Sequence, residues 1–309
     1  MNYHKPVLLN EALNDMKVIR GGKYIDCTLG DGGHTLEILK NGGKVLGIDY
    51  NDSSLIRATK RIASEGLSEN FLGLLGNFKD INTLAAKNGF NSANGILYDL
   101  GYSSTQLEES IGVSFIKDQP LDMRLDKTLG VTAADLVNSL AERELAKLFF
   151  EYGDEKYSRR FAKAIVGARN LKKLQTTKQL ADLIAAEAPP GYDRNRIHPA
   201  TRTFQALRIA VNDEIENLKI SLPLAAQLLL PGGRMLIITF HSLEDKVVKD
   251  FGRDVRPLMR TIYKKPIVPT IEEVRSNNRA RSAKMRVFEK ELHDNKTTQK
   301  FNSKNSTDC

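Results

Sequence analysis

A chain of 309 residues with 41% apolar and 27% charged side chains has the make-up of a globular protein with one large domain or two ordinary ones. No segment approaches the roughly 20 consecutive apolar residues of a membrane span, and two cysteines, Cys27 and Cys309, are too few for a disulfide framework or a zinc site. An excess of 46 Lys and Arg over 38 Asp and Glu gives a net charge of +8, which suits a polyanionic partner through counterion release.

The N-terminal stretch carries Glu11 and Asp15 where a signal peptide needs an uninterrupted apolar run, so the chain is expected in the cytoplasm. Tyr24 to Thr28 reads as a first strand, followed by a Gly-rich turn and a helix from about Thr35 to Asn41. Lys44 to Asp49 is a second strand, and Ser53 to Gly66 a helix capped by Asp52 or Ser53. Phe71 to Leu75 and Gly95 to Leu100 are a third and a fourth strand. Strands separated by helices of this length predict a parallel, doubly wound α/β sheet.

From about Gln106 the rhythm becomes helical, with patterns over Ala133 to Phe150, Lys156 to Ala168 and Thr203 to Leu218. The α/β signature returns at Pro231-Gly232-Gly233, which leads into the apolar strand Arg234 to Phe240. The economical division is a discontinuous core of residues 1–105 and 213–292, a helical insertion of residues 106–212, and a polar, disordered tail of residues 293–309.

The segment Asp26-Cys27-Thr28-Leu29-Gly30-Asp31-Gly32-Gly33-His34-Thr35 joins the first strand to the first helix, and its loop lies beyond the carboxyl ends of the strands, where open α/β sheets bind ligands. Glycines there allow a sharp bend and close approach to a ligand. Asp49, ending the second strand, is positioned to accept from two ribose hydroxyls. This pair alone fits a nicotinamide dinucleotide or S-adenosylmethionine. The spacing is not the GxGxxG of a pyrophosphate site, and the charge of Asp31 beside a phosphate would be unfavourable, which favours the sulfonium cofactor.

Further motifs resemble one family. They are Asp26 to Thr35, Gly47 to Asn51, Asp99 to Leu107, Pro120 to Asp126, Tyr152 to Val166, His198 to Glu216, Pro231 to Lys249 and Arg281 to Lys290. Together they resemble the MraW or RsmH family of 16S ribosomal RNA cytosine-N(4) methyltransferases. The resemblance implies a Rossmann-like class I sheet with an inserted helical domain for substrate recognition. It implies S-adenosyl-L-methionine as cofactor, held by Gly32, Gly33, His34, Asp49, Phe78, Asp99 and Gln106. It also implies a cytidine of the decoding region as target and 16S rRNA, within the small ribosomal subunit, as partner. A second copy of the chain, forming a homodimer, is the other partner considered.

An exocyclic cytosine amine is a weak nucleophile, so its N–H groups need oxygen acceptors while the methyl carbon is held in line. The loop after the fourth strand, Asp99-Leu100-Gly101-Tyr102, has the acid and the aromatic of an (N/D)PP(Y/F) loop without its prolines. Asp99 and His241 are therefore the candidate catalytic residues. Ser242 with Asp245 reads as a capping box opening the next helix, leaving His241 to face the site. No metal is expected.

Asp122 and Arg124 fit a salt bridge or a substrate contact equally, and His198 fits a local hydrogen bond. Lys156, Arg159, Arg160, Lys163, Arg169, Lys172 and Lys173, with eleven Lys or Arg against four acids between Arg253 and Lys290, form two basic regions suited to RNA. The competing readings are an NAD-dependent oxidoreductase and a non-catalytic rRNA-binding assembly factor.

Overall fold

The computed structural model describes residues 3, 5–101 and 111–292. Gln106, Tyr102 and the tail 293–309 therefore lie outside the described residues. Contacts divide the chain into two compact units, Met1–Gly101 with Asn217–Cys309, and Tyr102–Glu216.

The first unit carries a seven-stranded sheet. Its strands are β1 (Lys23–Asp26), β2 (Lys44–Asp49), β3 (Phe71–Leu75), β4 (Ala93–Asp99), β5 (Leu229–Thr239), β6 (Met259–Thr261) and β7 (Lys284–Lys290). The order is β3-β2-β1-β4-β5-β7-β6. The five strands from β3 to β5 are parallel, and β7 runs antiparallel to both β5 and β6. This is a Rossmann-like sheet. Connections from β1 run outward through β2 to β3, then cross back to β4, so the topological switch lies between β1 and β4.

Burial explains the sequence of the central strands. Tyr24, Ile25, Val45, Leu46, Ile48, Ile96, Leu97, Leu236 and Ile238 are almost fully buried, as expected of parallel strands covered on both faces. Helices α1 (Leu9–Met16), α2 (Gly33–Lys40) and α3 (Asp52–Ser64) contribute Ala12, Met16, Leu36, Leu39 and Ile62 to one apolar cluster with Leu97, Leu236 and Val287. The helix α3 is capped by Asn51, whose side chain accepts from the Ser54 amide, one residue before the expected cap. Helix α4 (Ile81–Lys87) links β3 to β4.

The second unit is helical. Its members are α5 (Ala133–Ser139), α6 (Glu142–Gly153), α7 (Ser158–Leu171), α8 (Thr177–Glu187) and α9 (Ala200–Val211), around a core that includes Val137, Phe149, Phe161, Ile184, Phe204 and Leu207. Two expected helices are each broken. The Ala133 to Phe150 pattern divides at Leu140, where the Arg169 guanidinium donates to the carbonyls of Val137 and Leu140 and so ends α5. The Thr203 to Leu218 pattern divides at Asn212 and Asp213 (φ 50°) before α10 (Glu214–Leu228). There the Asn212 side chain accepts from the Leu125 amide at 2.8 Å and donates to the Met123 carbonyl at 2.9 Å, anchoring the Pro120 to Asp126 loop. Helices α11 (Ser242–Asp254) and α12 (Ile271–Ser276) complete the described helices, in the first unit.

Candidate cofactor and base site at the strand ends

Three carboxylates, Asp26 and Asp49 buried and Asp99 partly buried, close three adjacent strands on either side of the topological switch. Asp26 ends β1, Asp49 ends β2 and Asp99 ends β4, and β1 lies between the other two. Asp26 accepts from the Thr35 hydroxyl at 2.7 Å and from the Thr28 amide at 3.2 Å. The Thr28 hydroxyl in turn accepts from the Asp99 amide at 2.6 Å, so the ends of β1 and β4 are tied together. Asp49 accepts from the Gly30 amide at 2.7 Å through one oxygen and from the Asn51 amide at 2.8 Å through the other. A carboxylate oxygen has two lone pairs, so both retain acceptor capacity.

Their protons are held unusually tightly. Burial pushes Asp26 and Asp49 up to about 6. Burial raises Asp99 to about 7, with the negative charges of Asp26 and Glu244 adding to the effect. Among the described residues no strong cation offsets the cluster: Arg57 acts on Asp49 only as the smallest of its influences. A positive charge brought to these strand ends would favour the ionised form of all three acids.

The turn above them is shaped chiefly by the protein itself. Gly30 (φ +52°) and Gly32 (φ +70°) adopt left-handed backbone. A Cβ on Gly32 would stand 3.1 Å from Ala58 of α3, and one on Gly33 would stand 3.0 Å from Pro6. Close packing therefore accounts for Gly32 and Gly33, where the sequence suggested room for a ligand. A Cβ on Gly30 would meet nothing nearer than 3.9 Å, so the open side of the turn is there. Asp31 also departs from expectation. The Arg57 guanidinium donates to it at 2.8 Å, so its charge is neutralised within the protein and does not discriminate between phosphate and sulfonium ligands.

His34 and Phe78 flank the carboxylates. The Nε2 of buried His34 lies 3.0 Å from the Val7 carbonyl, which can only accept, so that nitrogen carries a proton. Its Nδ1 faces Asp99 at 3.7 Å. Phe78 follows β3, where its ring meets Tyr98 edge-on with centroids 5.6 Å apart. The Ser221 hydroxyl donates to the Phe78 carbonyl at 2.9 Å, fixing the backbone there.

The loop after β5 runs beside that after β4, since Asp99 pairs with Ile238 and the Leu100 amide donates to the Ile238 carbonyl at 3.0 Å. The helix α11 opens one residue earlier than expected. His241 is its N-cap: Nδ1 accepts from the Glu244 amide at 3.3 Å, and the Glu244 carboxylate accepts from the amides of Phe240 (2.7 Å) and His241 (3.3 Å). The capping box is thus His241 and Glu244 rather than Ser242 and Asp245. Asp245 instead accepts from the Arg286 guanidinium at 2.7 Å. Because Nδ1 accepts, the proton of neutral His241 sits on Nε2.

Residues of the helical unit resolve separately. Arg124 and Asp122 form a two-pronged ion pair, at 2.7 and 2.9 Å, so this pair is spoken for within its own loop. His198 Nδ1 accepts from the Ala200 amide at 3.2 Å and its ring lies against Phe115, the local role expected. Of the α7 basic residues, Arg160 pairs with Glu187 and Arg169 ends α5, whereas Lys156, Arg159, Lys163, Lys172 and Lys173 are exposed. In the other basic region, Arg253, Arg260 and Arg286 pair with Asp250, Glu289 and Asp245, and Lys290 donates to the carbonyls of Gln227 and Leu229.

Sequence reasoning placed Asp26, Thr28 and Thr35 within the cofactor segment but gave none of them a role of its own. Within a strand and its turn they look like ordinary residues, and only three-dimensional burial joins them to Asp99.

Comparison with known proteins gives a consistent set of relatives. The profile of the MraW methylase family matches residues 1–291. A protein of Carboxydothermus hydrogenoformans named ribosomal RNA small subunit methyltransferase H is 44% identical over 306 residues, spanning 93% of this chain and 97% of its own. Proteins of the same name from Persephonella marina and Brevibacillus brevis are 43% and 40% identical, spanning 92% and 93% of this chain and 98% of each of their own. Among solved structures, an rRNA methylase from Streptococcus thermophilus aligns over 93% of this chain and 98% of its own, at 11% identity and a TM-score of 0.46, too distant a likeness to bear on the site.

Proposed function

Because the chain belongs to the MraW methylase family, we propose that it methylates the exocyclic 4-amino group of a cytidine in the decoding region of 16S rRNA, with S-adenosyl-L-methionine as cofactor. Bound adenosylmethionine supplies an electrophilic methyl carbon on a positively charged sulfur. The observation that carries this reading is the trio Asp26, Asp49 and Asp99 at adjacent strand ends, the first two buried and the third partly so, with protons held to about 6, 6 and 7. Such a trio suits a ligand bearing a sulfonium and an ammonium, and it is unfavourable to a pyrophosphate. The oxidoreductase alternative loses its footing for that reason and because the relatives named above are methyltransferases.

Asp49 is assigned the ribose hydroxyls, with both oxygens oriented by the Gly30 and Asn51 amides. Phe78, held by Tyr98 and Ser221, is assigned an apolar contact with the adenine, and the Gly32, Gly33 and His34 turn the remainder of the cofactor. Gln106, outside the described residues, keeps the cofactor contact that the family resemblance implies. Asp99, as carboxylate, accepts one amine N–H of the cytosine and takes the proton that the nitrogen sheds as it gains its methyl group. His34, anchored on the Val7 carbonyl through Nε2–H, turns its acceptor Nδ1 towards Asp99 and so sits beside that group without donating to it. His241 is assigned a positioning role: its ring nitrogen is used in capping α11, and it keeps the loop after β5 against the target base. The basic α7 face is assigned to the RNA backbone, and the cytoplasm as location follows from that substrate.

The decisive experiment supplies labelled adenosylmethionine and small ribosomal subunits from cells lacking this enzyme. Label on N4 of a single decoding-region cytidine is expected. Label on a ribose oxygen, on protein, or on no molecule overturns the assignment, and the last outcome with retained subunit binding supports a non-catalytic assembly factor. In calorimetry, Asp49→Ala is expected to weaken cofactor binding at least tenfold, equivalent to about 1.4 kcal/mol; unchanged affinity refutes the ribose contact.

A further inference from the structure

A second concavity lies beside the carboxylate site within the same unit. It is an open cleft of about 420 Å³ between the loop after β5, the segment around Val268 and Pro269, and the start of β7. Its lining combines apolar Phe240, Val268 and Pro269 with Ser242, Arg281 and Lys284. Among the described residues no carboxylate lines it. The nearest acid to Lys284 is Asp245, at 3.8 Å, and Asp245 is already engaged at 2.7 Å by Arg286. The cleft also receives the positive end of α11, which begins at Ser242.

Its position follows from the sheet. Asp99 and Ile238 are paired neighbours on β4 and β5, and the chain leaves both strands in the same direction. A Cβ on Gly101 would lie 2.7 Å from the Phe240 ring, so that ring stands directly against the backbone two residues beyond Asp99. One face of the aromatic wall thus belongs to the Asp99 loop, and Phe240 also lines the cleft.

We infer that this cleft binds the nucleotide adjoining the methylated cytidine, with its phosphate on Arg281 and Lys284 and its base against Phe240 and Pro269. This rests on the RNA-methyltransferase reading and adds a separate subsite to it. An aromatic and apolar lining that also holds two cations matches single-stranded nucleic acid, whose bases stack on aromatic and apolar surfaces while cations follow the backbone. It also gives the enzyme a purchase on a neighbour while the target base is drawn out of its stack, a displacement that costs a few kcal/mol.

The test compares wild type with the Arg281→Ala/Lys284→Gln double variant and with Ser282→Glu, which adds a negative charge at the exposed rim of the cleft. The substrate is unmethylated small subunits, assayed at several salt concentrations, and cofactor affinity is measured in parallel by calorimetry. Both variants are expected to raise KM for subunits about tenfold or more while binding adenosylmethionine as the wild type does. For the double variant, the slope of log KM against log salt should fall by about 0.7, the value for one lost single-strand phosphate contact. If wild type methylates subunits and both variants retain its KM and its salt slope, the subsite is overturned while the enzymatic reading stands. If wild type transfers no methyl group, the underlying reading fails instead. Should the double variant melt early, Ser282→Glu alone decides by the same criteria.

Discussion

At the scale of single residues, the proton on Asp99 sets the chemistry. A carboxyl held at about 7 is largely protonated below neutrality and cannot then take the proton that the amine sheds. Methyl transfer is therefore expected to rise with pH through about 7 and to level off above it, read from kcat/KM, which reports the ligand-free protein. Asp99→Asn should lower that rate by about 10²–10⁴-fold and abolish the acid limb; a variant with the wild-type profile removes Asp99 from the proton path. Glu244 contributes to the raised value through its charge. Glu244→Gln keeps an acceptor oxygen near the Phe240 and His241 amides while removing the charge, so the acid limb should move to lower pH. An unmoved limb shows that the two carboxylates are electrically independent. Asp99 and Asp49 were legible in the sequence because each ends a recognisable apolar strand. Asp26 was not, since its importance comes from burial between them and from Thr28 and Thr35, which the linear order does not mark.

At the scale of elements, strands were easier to read than helix boundaries, and the reasons are physical. A buried parallel strand announces itself by an apolar run, so β2 and β3 appear at their expected limits. Helix ends in the insertion are set by distant partners: Arg169 stops α5, and Asn212 is diverted to the Met123 loop instead of prolonging α9. The cap of α11 was displaced by one residue because Ser is the commoner cap and the imidazole of His241 does the same work. The contact between the α2 turn and α3 offers a direct test. Gly32→Ala places a Cβ on left-handed backbone and presses it to 3.1 Å from Ala58. The backbone alone should cost about 1–2 kcal/mol, read as a melting midpoint several degrees lower; an unchanged midpoint denies the tight packing.

At the scale of the molecule, the three strand-end carboxyls couple stability to ligand. In an unfolded chain they titrate near about 3.9, whereas in the folded protein they hold protons to about 6, 6 and 7. The folded state binds more protons between those limits, so their contribution to stability is complete below about 4 and is lost as pH rises through 6 and 7. Cofactor-free protein should accordingly lose thermal stability from pH 5 to pH 8, and Asp99→Asn should show a shallower loss. Adenosylmethionine, favouring the ionised acids, should bind more tightly over the same interval. Parallel melting curves for the two proteins, or an affinity that is flat with pH, remove this linkage.

The antiparallel placement of β7 between β5 and β6 has a bearing on biosynthesis. As the chain is made, β1 to β5 emerge first, and the strand that seals the far flank of β5 follows only after α11, β6 and α12. Until then β5 presents an unpaired backbone rim, the kind of edge that recruits stray strands. The helical unit, by contrast, is translated whole between the two parts of the sheet and has its own apolar interior. Pulse-labelled nascent chains stalled before Lys284 should therefore yield a protease-resistant helical fragment while the flanking sheet segments are still cleaved.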